Sequence, residues 1–387
     1  MRLMRHPDGF RMGLFGLVLC FAGVACVTPP PIPDEPPPVE IPAAATPPPA
    51  VPAVPGQPAA APVEFKIAAV GDIMLGGTAT PELRKYGYDY PFELTAPILK
   101  QAQIVFGNLE GPLTAGGTSE TNKQYVYRSP PDKVAPALAR AGFNLVSLAN
   151  NHILDYGPQG LEDTRAALDR AGIRAVGAGR NLNEARAPAI MTAEGITVAF
   201  LAYSLTFPEE FWAGPDTPGT AFGHERHVRE DVAAARQRAD IVVVSFHWGT
   251  EGKTELRDYQ ITLARAAIDA GASVVLGHHP HILQAVERYR QGAILYSLGN
   301  FVFGSYSRIA TRSMISLITF RDRQLREIRL IPINVNNPEV VFQPKPLTGQ
   351  DAVEAMALVQ QLSLTRGTDL EYRDDSAILT LGEERGN

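Results

Sequence analysis

The residues able to do chemistry crowd into a few short stretches. Three of the eight histidines in the 387-residue chain, His278, His279 and His281, fall in "VVLGHHPHILQ", behind the apolar run "ASVVL". Other apolar runs end in the same way. Asp72 closes "FKIAAVGD", Asn108 and Glu110 lie in "AQIVFGNLEG", Asn150, Asn151 and His152 end "FNLVSLANNH", and His247 lies in "DIVVVSFHWGTE". Each of these has an ordinary use when taken alone. Asp72 could cap a turn, Asn108 could occupy a left-handed turn, and His247 could be a packed core histidine. Five apolar strands that each end in a metal-compatible side chain point instead to one shared site. Open α/β sheets hold their ligands at the carboxyl ends of the strands. Carboxylate, amide carbonyl and neutral imidazole together suit Mn, Fe or Zn. The chain's two cysteines, Cys20 and Cys26, lie far away near the start, which excludes a structural zinc site built of thiolates.

The segments between these stretches alternate in period. "DKVAPALARAG", "GLEDTRAALDRAG", "REDVAAARQRA" and "QITLARAAIDAG" carry apolar residues at helical spacing, and strands precede or follow them. That alternation predicts βαβ units and buried sheets. "APAIMTAEGITVAFLAYS" reads as a hairpin about Glu194-Gly195. "ILQAVERYR", "AILYSLGNFVF", "SMISLITFRD" and "LREIRLIPINV" read as consecutive antiparallel strands, and so as a second, more antiparallel sheet. "DAVEAMALVQQLS" is a final helix. The folded domain is therefore expected over residues 64–335, with a C-terminal extension of one helix over 336–387.

The N-terminal part is expected to lie outside the folded domain. A basic start and an apolar run from Met12 to Cys26 have the form of a secretory signal, too short for a membrane span of about 20 residues. "GVAC" resembles a bacterial lipobox, which makes Cys26 the expected site of lipidation and cleavage. Residues 27–63 hold 15 of the chain's 33 prolines, which removes amide donors and prevents a helix or sheet. This stretch is expected to be a linker holding the domain away from a membrane. With 35 basic against 41 acidic residues and no basic run, the chain is a poor nucleic-acid binder.

"AVGDIMLGG", "GNLEGPLT", "LANNHILDYG", "VGAGRNLNEARAP", "SFHWGTE", "GHHPHILQ" and "YSLGNFVF" follow one another as in the CapA family of capsule and poly-γ-glutamate biosynthesis proteins. The chain resembles that family over about residues 65–304. The family is similar to the calcineurin-like metallophosphoesterases. This implies a four-layer α/β/β/α sandwich, with two facing mixed sheets flanked by helices. The resemblance makes Asp72, Asn151, His247, His279 and His281 metal ligands, with Pro280 setting a rigid turn between the last two. It makes His152 the group that meets a scissile phosphate, with Asp155 orienting it. Glu110 is the metal-facing carboxylate where the superfamily has a bridging Asp. Met74 stands where the superfamily has a histidine, and His278 matches a variable position, beside the ligands or at the surface.

Two functions follow from the resemblance. One is hydrolysis of a phosphoester by one or two divalent transition-metal ions (Mn, Fe or Zn), with His152 protonating the leaving oxygen. The other is a non-catalytic accessory role in assembling, exporting or tethering an anionic polymer such as poly-γ-glutamate. Both imply the cell envelope, a lipid anchor in a membrane, and capsule-synthesis membrane proteins as partners.

Overall fold

The computed structural model describes residues 63–382. Cys26, the signal-type segment and the linker up to residue 62 lie outside the described residues. Among the described residues, no helix is long and apolar enough to cross a membrane.

Four parallel strands come first among the described residues: β1 (Glu64–Met74), β2 (Ile104–Leu109), β3 (Leu145–Ser147) and β4 (Arg174–Val176). After the two-residue strand β5 (Ala178–Gly179), the chain builds a second sheet. Its strands are β6 (Ala189–Ala193), β7 (Ile196–Ser204), β9 (Ile241–His247), β10 (Val274–His278), β11 (Val286–Tyr289) and β12 (Gly292–Leu295). β8 (Gly219–Thr220) pairs with β5 outside both sheets. The remaining strands, β13 (Asn300–Phe303), β14 (Arg312–Arg321), β15 (Gln324–Asn334), β16 (Lys345–Pro346), β17 (Glu371–Arg373) and β18 (Ser376–Thr380), return to the first sheet and bring it to ten strands.

The period-2 alternation of side chains explains the layers. Ile67 and Ala69 of β1 and Val243 of β9 share one apolar core between the sheets. Ala68 and Val70 face the other way, onto the helices Pro131–Ala141 and Gly157–Arg170. Val242 and Val244 likewise pack against the helices Glu225–Arg236 and Asp258–Asp269. The result is the expected helix–sheet–sheet–helix sandwich, with the Glu194-Gly195 hairpin also in place.

The late strands differ from expectation in two ways. "AILYSLGNFVF" is two strands in different sheets: β12 pairs parallel to β10, and β13 pairs parallel to β1. Residues 296–299 cross between the sheets and wedge against two glycines. A Cβ at Gly71 would lie 1.8 Å from the Gly299 carbonyl oxygen, and one at Gly277 would lie 1.8 Å from that of Tyr296. Only glycine permits that approach. Beyond residue 335 the chain is no appended extension. β18 pairs with β15, β17 with β18, and the helix Gly349–Leu364 places Met356 and Val359 in the core between the sheets. The hairpin signal there is Asp374-Asp375, both left-handed at φ 50° and 57°, rather than a glycine turn.

Candidate metal centre

The two sheets deliver their strand ends to one point. Asp72 lies two residues before the end of β1, at a register shift, and is fully buried. It accepts from Asn108 Nδ2 at 2.8 Å and from the His279 backbone N–H at 3.2 Å. His281 Nδ1 lies 3.2 Å from it and His278 Nδ1 3.5 Å. Burial alone would raise this carboxyl. The contacts to His278 and His281 outweigh it and hold the group well below the usual carboxylate range.

Glu110, one residue beyond β2, sits at the middle. Its Oε1 is buried and has no hydrogen-bond partner. Three imidazole Nε2 atoms surround that oxygen, His281 at 3.8 Å and His152 and His247 at 3.9 Å each. Burial pushes the Glu110 carboxyl well above its ordinary value. A buried carboxylate oxygen without a donor is costly unless something cationic meets it.

Side-chain ligand atoms gather in overlapping groups, each within 4.8 Å. Asp72, Glu110 and His281 form one; Glu110, His247 and His279 form another, so Glu110 is common to both. Asn151 reaches the second group, with its Oδ1 2.9 Å from His247 Nε2. His279 and His281 both have positive φ, 94° and 60°, around Pro280. Side chains other than glycine rarely adopt this backbone, and it aims both rings inward. His281 Nδ1 lies 2.8 Å from Asn300 Oδ1, which orients the ring and leaves Nε2 toward Glu110. Burial lowers His279 to about 3. Burial opposes charge on His281 too, but Glu110 and Asp72 overcome it and raise that group to about 10.

His152 approaches from the side. Its Nδ1 lies 2.7 Å from Asp155 Oδ2, and its backbone N–H donates to Asn150 Oδ1. Tyr127 covers the ring at 4.5 Å between centroids. Burial lowers His152 despite the Asp155 contact.

All the sequence-derived site residues that lie among the described residues therefore converge; Cys26 lies outside them. His278 is buried beside Asp72, not at the surface. Met74 stands outside the groups; its Sδ accepts from the Gly76 N–H at 3.3 Å. Asn108 sits at the heart of the centre, since its amide touches Asp72, Glu110 and His247. Sequence reasoning missed Lys123, whose ammonium contacts Asp155 and the Asn151 carbonyl from a loop without periodicity. It also missed Glu251, which gathers with His279 and His281 in a third group. An acid four residues after His247 was the available signal.

Residues 66–305 match the family model for bacterial capsule synthesis proteins, PGA_cap. The capsule biosynthesis protein CapA of Bacillus anthracis is 32% identical over 323 residues, 81% of this chain and 77% of that protein. The PGA biosynthesis protein CapA of Bacillus subtilis (strain 168) is 30% identical over 312 residues, 80% of each. Among solved structures, the NAD nucleotidase NadN of Haemophilus influenzae is similar at 14% identity and a TM-score of 0.46, over 78% of this chain and 63% of that one.

Proposed function

The chain belongs to the bacterial capsule synthesis protein family, and on that premise we propose that it is a metal-dependent, phosphoesterase-type hydrolase of the cell envelope, working in capsule or poly-γ-glutamate biosynthesis. The observation that carries this reading is the Glu110 Oε1 atom, buried without a donor and faced by three imidazoles.

The residues present fit one or two divalent ions of Mn, Fe or Zn, because the donors are carboxylate, imidazole and amide carbonyl with no thiolate. Asp72, Glu110 and His281 would hold one position. Glu110, His247, His279 and Asn151 would hold the other, and Glu251 stands near enough to serve His279 and His281. Such ions, when bound, polarise a phosphoryl oxygen and lower the pKa of an attacking water.

The chain's own groups do the rest. Burial keeps His247 and His279 neutral, as ligands must be. His152 presents Nε2 toward Glu110 while Asp155 fixes its Nδ1. That geometry aims a proton at an oxygen leaving from the centre. An ester anion beside Nε2 opposes the burial effect and favours the protonated ring. Tyr127 and the buried Glu110 region keep bulk water from the dyad. Anchoring through Cys26 and contact with capsule-synthesis membrane proteins complete the proposal.

The test is metal analysis of protein purified without chelator, followed by turnover of a phosphomonoester and a phosphodiester. Chelation is expected to abolish turnover, and one of the three metals to restore it. If no ester is cleaved with any of them, while His279→Ala still prevents capsule formation, the site binds polymer carboxylates and the hydrolase reading fails.

A further inference from the structure

A cavity of about 640 Å³ opens beside the metal centre, with Asn151 and His279 in its wall. Much of the remaining wall is aromatic. Trp212 and Phe222 lie with ring centroids 4.1 Å apart, and the Phe207 ring is 6.0 Å from Trp212. Trp212 Nε1–H donates to the Thr206 carbonyl at 3.1 Å, which satisfies the indole's polar atom and fixes its plane. Phe207 is 70% exposed, so three rings form one apolar face reached by water. Arg257 lines the same cavity. Its Nε donates to Thr250 Oγ1, and no carboxylate pairs with its guanidinium among the described residues.

The hydrolysis described above uses neither the three rings nor Arg257. A chain of carboxylates and amides would meet Arg257 but leave the rings without a partner. A ring-bearing anion satisfies both, because ring faces stack and the guanidinium pairs with charge. We propose that this cavity is a substrate subsite that selects phosphoesters carrying a planar or ring-shaped group, stacked against Trp212 while the phosphoryl group lies at the metal centre. This rests on the reading that the centre binds a phosphoryl oxyanion.

Two phosphonates test it, because hydrolysis consumes neither. Metal-loaded full-length protein is titrated calorimetrically with phenylphosphonate and with methylphosphonate. Phenylphosphonate is expected to bind about tenfold more tightly, from stacking and from removing the ring from water. Trp212→Ala is expected to shrink that preference to about threefold or less, with the methylphosphonate Kd unchanged. Phe207→Ser, at an exposed position, is expected to reduce the same preference in part. Equal affinities in the unaltered protein overturn the subsite and leave the phosphoryl reading standing. So does a preference that survives both substitutions. Binding of neither compound sinks the phosphoryl reading, and the subsite with it.

Discussion

Glu110 Oε1 and His152 Nε2 face each other at 3.9 Å, yet the two residues have different work. In the proposed roles one is a ligand and the other a proton donor held by Asp155, so variants of a ligand and of the donor should separate. His279→Ala, which removes a ligand, is expected to lose metal and turnover together. His152→Asn is expected to keep its metal and lose turnover by ~10²–10⁴, the usual worth of a general acid. Metal loss in His152→Asn would make that residue a ligand. Lys123 gives a second handle. Its charge lowers His152, so Lys123→Met should raise the His152 pKa and move the pH limb of turnover that reports it upward. An unmoved limb with unchanged metal content would show that Lys123 has no electrostatic role. The candidate ligands were legible in the sequence because they lie at or close to the ends of apolar strands, and parallel strands bring such ends together. Lys123 was not, because its loop has no periodicity and its partner Asp155 lies 32 positions away.

At the scale of elements, the sandwich could be read from alternating periods, but its C-terminal edge could not. The helix Gly349–Leu364 buries only one narrow side, and β17 is three exposed residues. Pairing onto β15, a tertiary fact, is what makes them part of the sheet. This has a measurable consequence. Ending the chain at Val335 would strip Met356, Val359, Leu370, Ile378 and Leu379 from buried positions. At ~1.5–3 kcal/mol for each large side chain, the loss is comparable to the whole stability of a typical domain, ~5–15 kcal/mol. The shortened chain is expected to lack a cooperative thermal transition by circular dichroism. A cooperative melt close to that of the full chain would restore the boundary at residue 335. The split of "AILYSLGNFVF" was equally hidden, since the close approach at Gly71 and Gly277 involves residues distant in sequence.

Across the whole molecule, the centre joins the sheets: Asp72 lies in β1 and Glu110 and Asn151 follow β2 and β3 of the first, while His247 ends β9 and His279 and His281 follow β10 of the second. Metal that binds only this folded arrangement stabilises it, by ~2.7 kcal/mol at a hundredfold excess over Kd. Without metal, acid should weaken it. His152, His247 and His279 are all lowered by burial, His279 to about 3. Below about pH 6.5 the unfolded chain takes up protons that these rings refuse, so stability falls as pH falls, by ~1.4 kcal/mol per unit for each net proton. Glu110, raised by burial, works the other way above its unfolded value, and His281, raised to about 10, contributes fully below about pH 6.5 and loses that contribution as pH climbs from there toward 10. Three rings against one carboxyl leave acid destabilising. A melting temperature of chelated protein that stays flat from pH 7 to 5 would show that the rings are not held neutral.

The place of β1 also sets a timetable. It lies inside the first sheet, between β2 and the pair β13 and β14, and Arg312 comes 238 positions after Met74. At ~5–20 residues per second of synthesis, one edge of this apolar strand waits on the order of 10–50 s for its neighbour. A nascent copy of this chain thus carries an open, apolar strand edge for most of its synthesis, the kind of edge that pairs with other chains. A chain ended at Leu295 is expected to aggregate on expression; a soluble, folded product would show that β1 can do without its later neighbours.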